Sequence, residues 1–174
     1  YLEGAEKGTE YLREHMRFYD MDENIIYWYH GIDVHGSRED KVFSSEFGDD
    51  YDAIPAYEQI YALAGPTQTY RLTGDPRILE DAERTIDLFD KYFLDKEKGG
   101  YFSHLDPITL DARSSSLPER NRGKKNWNSV GDHAPAYLIN LYLATGEPTE
   151  ADFLEYTFDT IAKYFPDYDN SPFV

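Results

Sequence analysis

Apolar residues recur along this chain at helical spacing, in blocks separated by short aromatic and polar stretches. Ile78, Leu79, Ala82, Ile86, Leu88, Phe89 and Phe93 predict a helix from Pro76 to Phe93. Phe153, Leu154, Phe158, Ile161, Ala162 and Phe165 predict a second from Pro148 to Phe165. Further helices are expected over Leu2 to Tyr19, Ala53 to Leu72 and His133 to Ala144, with Gly65-Pro66 kinking or unwinding the middle one. The aromatic runs Tyr27 to Val34 and Tyr101 to Leu105 predict short strands, the second following the turn Asp95 to Gly100. Polar return limbs, His35 to Lys41 and Asp111 to Lys125, lead to the next helices.

These blocks repeat. Shifted by 72 positions, Thr73-Gly74-Asp75-Pro76 falls on Thr145-Gly146-Glu147-Pro148, Lys91-Tyr92-Phe93 on Lys163-Tyr164-Phe165, and Tyr70 on Tyr142. Shifted by 74, Tyr27-Trp28-Tyr29-His30 falls on Tyr101-Phe102-Ser103-His104. In each unit Gly suits the left-handed end of one helix, and Pro suits the first turn of the next. Helix pairs at this period build an open solenoid or a closed α/α-toroid. The hairpin between pairs favours the toroid. The expected fold is mainly α: a single partial (α/α)-toroid domain over residues 1–174, with about two and a half repeats of helix pairs joined by short β-hairpins. A closed ring of six such pairs needs roughly 400 residues. A partial ring leaves an inner flank exposed, which predicts a homodimer or docking with the remaining part of the toroid.

Composition narrows the function. A net charge of −17 repels phosphate backbones and anionic lipids, which argues against nucleic-acid and membrane partners. With no cysteine, disulfides, thiolate catalysis and Cys-ligated zinc are excluded. No apolar run approaches the ~20 residues of a membrane span. P-loop, dinucleotide, zincin and nucleophile-elbow motifs are all missing, so no cofactor or metal is expected. The acidic stretch Glu46 to Asp52 reads as helix-dipole stabilisation with Asp52 as cap; calcium is the alternative, without EF-hand spacing. Arg113, Arg120, Arg122, Lys124 and Lys125 form the basic stretch of an acidic chain, expected to close over the funnel or to pair with an acidic neighbour.

The run Glu58-Gln59-Ile60-Tyr61-Ala62-Leu63-Ala64 through Tyr70-Arg71-Leu72-Thr73-Gly74-Asp75-Pro76, the helix His133 to Glu147, and Gly99-Gly100-Tyr101-Phe102 together resemble the N-acylglucosamine 2-epimerase family, which includes cellobiose 2-epimerases. That resemblance implies a six-pair toroid, a soluble and cytoplasmic protein, and isomerase chemistry on a small carbohydrate by histidine acid–base transfer. His133 carries over by position as the catalytic residue. Ala136 stands where the family has Glu, and Ser129 where it has Asn.

Epimerisation beside a carbonyl needs groups that take and return a proton near neutrality, which suits histidine. The expected substrate-binding set is Trp28, Glu58, Tyr61, Tyr101, Phe102, His104 and Trp127, because flat sugar faces stack on aromatic rings. For each aromatic, packing at the helix–hairpin junction is the competing reading, and for His133 it is a packing or capping role. His30 and His104, equivalent in the hairpins, read as structural. Two other function classes remain: a degenerate or truncated toroid that binds carbohydrate or a protein, and a toroid glycoside hydrolase or lyase drawing on Glu46, Asp49, Asp50 and Glu58.

Overall fold

The Thr-Gly-acidic-Pro signature folds the same way twice. Gly74 and Gly146 adopt left-handed φ of 67° and 71° and donate their N–H groups to Tyr70 and Tyr142 carbonyls at 2.7 and 2.8 Å. The Thr73 hydroxyl donates to Thr69 O and accepts from Asp75 N; the Thr145 hydroxyl does the same with Leu141 O and Glu147 N. Pro76 and Pro148 then open the next helices.

The structure, a computed structural model, describes residues 1–126 and 133–170. Its helices are α1 (Leu2–Tyr11), α2 (Ala56–Thr73), α3 (Pro76–Leu88), α4 (His133–Thr145) and α5 (Pro148–Tyr164). Its strands are β1 (Arg17–Asp20), β2 (Ile25–Trp28), β3 (Gly31–His35), β4 (Arg38–Val42), β5 (Ile54–Pro55) and β6 (His104–Leu105), in antiparallel pairs β1–β2, β3–β4 and β5–β6. Helices α2 and α4 lie side by side, α1 and α3 pack on α2, and α5 packs on α4. This is the arrangement of an (α/α)-toroid arc.

Residues equivalent under the 72-residue shift meet across the repeats: Tyr61 with His133, Gln68 with Asn140, Gly48 with Arg120, and Asp49 with Asn121. Neighbouring repeats therefore stack in register, as expected of a quasi-one-dimensional array. Ile60 and Leu63 of α2 bury with Ala134, Leu138 and Leu141 of α4, each larger side chain contributing about 1.5–3 kcal/mol. Trp28 at the end of β2 and Ser103 just before β6 both attach at the N-terminal end of α2. Gln59 brackets Trp28 by accepting from its N–H at 2.7 Å and donating to its carbonyl at 3.0 Å, and Ala56 N donates to Ser103 O at 2.9 Å.

Several boundaries differ from the pattern. The first helix ends in a π-helical turn, Leu12–Met16, and Arg17 to Asp20 become β1 because they pair with Ile25 to Trp28. A matching π-helical turn, Phe89–Phe93, closes α3. The expected strand Tyr27 to Val34 breaks after Trp28, and the return limb beyond His35 supplies β4 of a second hairpin. α2 runs unbroken through Pro66, whose ring and neighbour Thr67 are buried in the helix packing. Asp52 does not cap α2; it takes φ 64°, and Pro55 holds the N-cap position. Among the described residues no helix is long and apolar enough to cross a membrane.

Candidate functional site

The first turns of α2 carry Tyr57, Glu58 and Tyr61 at the end where the hairpins gather. Glu58 faces His30, which lies in the link between β2 and β3, with His30 Nδ1 at 3.0 and 3.1 Å from the two carboxylate oxygens. The Glu46 N–H approaches His30 Nε2 at 3.4 Å, so Nε2 accepts and Nδ1–H donates to Glu58 in the neutral ring. Burial raises the Glu58 carboxyl above its ordinary range, against the opposing pull of His30 and Ser45. A carboxylate behind an imidazole fixes its tautomer and orientation.

His133 opens α4, and its Nε2 is hydrogen-bonded to the Tyr61 hydroxyl. The Tyr61 ring meets the imidazole edge-on at 4.9 Å, and the Tyr57 ring lies 5.9 Å away. Two open cavities adjoin at Tyr61. One, of about 320 Å³, is lined by His133, Ala136, Asn140 and Ala64. The other, of about 400 Å³, is lined by His30, Glu58, Phe47, Tyr29 and Trp28. The groove thus carries an imidazole in each half. Ala136 leaves the His133 half without a carboxylate at that position.

A second polar chain supports the rim. Asp50 accepts the Tyr57 hydroxyl at 2.9 Å and meets His104 Nε2 at 2.6 Å. Burial lowers the pKa of His104 despite the adjacent Asp50. It also raises that of Tyr57, further than the Asp50 hydrogen bond does. Both rings therefore stay neutral, and each donates to the carboxylate.

Glu58, Tyr61 and His133 come together, with the edge of Trp28 reaching the same groove. The other expected residues do not join them, and Trp28 does so only marginally. Trp28 itself is 2% exposed, its indole N–H donating to Thr85 Oγ1 at 3.0 Å. Tyr101 packs against Phe89, Phe153 and Tyr156 in the interior. Phe102 is buried with the cations of Arg113 and Lys125 at 4.7 and 5.2 Å from its ring. His104 is 1% exposed. Trp127 lies outside the described residues. His30, Tyr57 and Phe47 were not expected here. The pairing of His30 with Glu58 spans 28 residues and leaves no local signature.

Fold and groove together describe an arc of an (α/α)-toroid with a histidine-lined rim. No protein-family model matches the sequence, and no curated protein matches it. Among solved structures, the cellobiose 2-epimerase of Bacillus thermoamylovorans is similar to the chain with a TM-score of 0.67 at 16% identity, over 97% of this chain and 39% of that one. The chain thus spans 39% of that enzyme's length, and at this identity the likeness is one of fold. Among the described residues no group of three or more His, Asp or Glu is placed to hold a metal ion.

Proposed function

We propose that the groove binds a reducing sugar and moves a proton at the carbon next to its carbonyl, as a sugar 2-epimerase or isomerase does. The observation that carries this reading is the pair of imidazoles flanking Tyr61, His133 bonded to its hydroxyl and His30 backed by Glu58. One imidazole takes the proton from the carbon, and the bond's electrons pass to the carbonyl oxygen to give an enediolate. The other returns a proton to the opposite face and inverts the centre. The toroid likeness to a cellobiose 2-epimerase supports the substrate class, and the open aromatic faces of Tyr61 and Phe47 suit a sugar ring.

Ala136, lining the His133 cavity, favours a second reading in which the arc binds carbohydrate without turning it over. Hydrolysis is less well supported. Of Glu46, Asp49, Asp50 and Glu58, only Glu58 lines the groove, and Asp50 is committed to Tyr57 and His104. The test is to incubate the protein with cellobiose and with N-acetylglucosamine and to follow the products by proton NMR. The 2-epimer should accumulate, and should vanish in His133→Ala. Binding by calorimetry without conversion supports the second reading, and neither binding nor conversion rejects both.

A further inference from the structure

The wall of the groove belongs to one repeat and is held by the next. Residues 46–52 lie within the connection from β4 to β5, and Gly48 to Asp50 make a single 3-10 turn. Gly48 and Asp52 take left-handed φ of 39° and 64°. Inside the loop the backbone bonds are Asp50 N to Phe47 O, a long Tyr51 N to Gly48 O at 3.4 Å, Asp52 N to Ser45 O and Ala53 N to Asp50 O, with Ser45 N to Ala53 O closing the base. The outward carbonyls are taken from across the repeat boundary. Arg120 Nη2 donates to Gly48 O at 2.9 Å, Arg120 Nε donates to Asp49 O at 3.3 Å, and Asn121 Nδ2 donates to Asp49 O at 2.6 Å. Asn121 is fully buried.

With its carbonyls held on that side, the loop presents Phe47 to the groove and sets Asp50 behind the Tyr57 ring. Phe47 is 68% exposed, and its ring meets His30 at 5.1 Å, nearly edge-on. Asp50 holds the Tyr57 hydroxyl, and the Tyr57 ring packs beside His133. Both imidazoles of the groove are therefore flanked, directly or through one ring, by a loop to which Arg120 and Asn121 are hydrogen-bonded.

We infer that Arg120 and Asn121 are positioning residues of the groove. From the second repeat they hold loop 46–52 of the first, so that Phe47 stands beside His30 as a wall for the ligand and Asp50 supports Tyr57. A guanidinium suits the task because its planar fork offers two successive carbonyls donors in fixed geometry, where a lysine offers a single flexible ammonium. Arg120 and Asn121 align with Gly48 and Asp49 under the 72-residue shift, so equivalent limbs of neighbouring repeats meet here in register. The ligand part of the inference rests on the sugar-binding reading above; the loop part does not.

The experiment pairs amide hydrogen exchange over residues 47–52 with calorimetric titration of cellobiose, for wild type, Arg120→Ala, Arg120→Lys, Phe47→Ala and the Phe47→Ala/Arg120→Ala double variant. Arg120 is an exposed side chain, so its replacement leaves the core intact, and unchanged exchange in α2 verifies this. Arg120→Ala should speed exchange at residues 47–52 by about tenfold or more, in line with the loss of its two charge-assisted hydrogen bonds, the longer of them weak. It should weaken cellobiose binding about as much as Phe47→Ala. The double variant should lose less than the sum of the two single losses, the remainder reflecting the Asp50–Tyr57 route, and Arg120→Lys should recover part of the loss. Unchanged exchange at residues 47–52 in Arg120→Ala overturns the positioning role, whatever the protein binds. Fully additive losses in the double variant overturn the link to Phe47. Absence of cellobiose binding by wild type counts against the sugar reading, and the exchange result still decides the role of Arg120.

Discussion

Asp81 offers the sharpest test of how the first hairpin is anchored to the helices. It lies in α3 at 2% exposure, and its carboxylate sits between Arg13, in the turn that ends α1, and Arg17, the first residue of β1. Arg13 Nε reaches Asp81 Oδ2 at 2.5 Å with 9% of its side chain exposed, and Arg17 binds the other oxygen. Removing one partner of a buried ion pair costs about 3–5 kcal/mol, because the opposite charge is left uncompensated. Arg13 keeps Glu10 at 3.3 Å and Arg17 is a quarter exposed, so Asp81→Asn should fall near the lower end, about 3 kcal/mol. At about 2–4 °C per kcal/mol for a chain of this size, Tm should drop by roughly 6–12 °C. Urea denaturation and thermal melts followed by circular dichroism measure both quantities. The exposed pair Lys7–Glu3 is the control, where Glu3→Gln should change stability by less than about 0.5 kcal/mol. A drop of under about 2 °C in Asp81→Asn would refute the argument that this clamp holds β1, and with it β2, against α3.

Two pH effects should follow from buried groups outside the groove. Burial alone would raise the Asp95 carboxyl, but Lys125 and the N–H groups of Lys98 and Glu97 outweigh it and bring it down to about 2. Its stabilisation is present above the unfolded value near 3.8 and is lost as pH falls toward 2, so Asp95→Asn should flatten the stability profile in that window. His104, lowered by burial, resists the proton that the unfolded chain accepts below about pH 6.5. Stability should therefore decline as pH falls below that point, and His104→Asn should remove part of the slope in pH-dependent urea denaturation.

The repeat was legible in the sequence because it is built from local signals. Gly74 and Gly146, each with a Thr before and a Pro after, terminate and restart helices by bonds within a few residues. The ends of the outer helices were not legible. Arg17 to Asp20 continue a helical pattern, yet their partners Ile25 to Trp28 and Asp81 pull them into a strand. His30 and His104 look equivalent in sequence, but His104 meets Asp50 in the interior while His30 stays at the groove beside Glu58. Tyr101 and Phe102 show the same limit. Aromatic residues suit a sugar subsite and a helix–hairpin junction equally well, and only the long-range packing of α5, Arg113 and Lys125 decides for the junction. Glu58, Tyr61 and His133 were legible as a group because the repeat itself places Tyr61 opposite His133.

The central claim is that His133 and the Glu58-backed His30 exchange a proton with the sugar carbon next to the carbonyl. Its most direct test is deuterium incorporation at that carbon of cellobiose in deuterated water, followed by NMR for wild type, His133→Ala and His30→Ala. The account predicts incorporation by wild type and its loss in His133→Ala, with His30→Ala uncoupling exchange from inversion. Incorporation at the wild-type rate in His133→Ala would contradict the account and leave His133 as a packing residue at the start of α4.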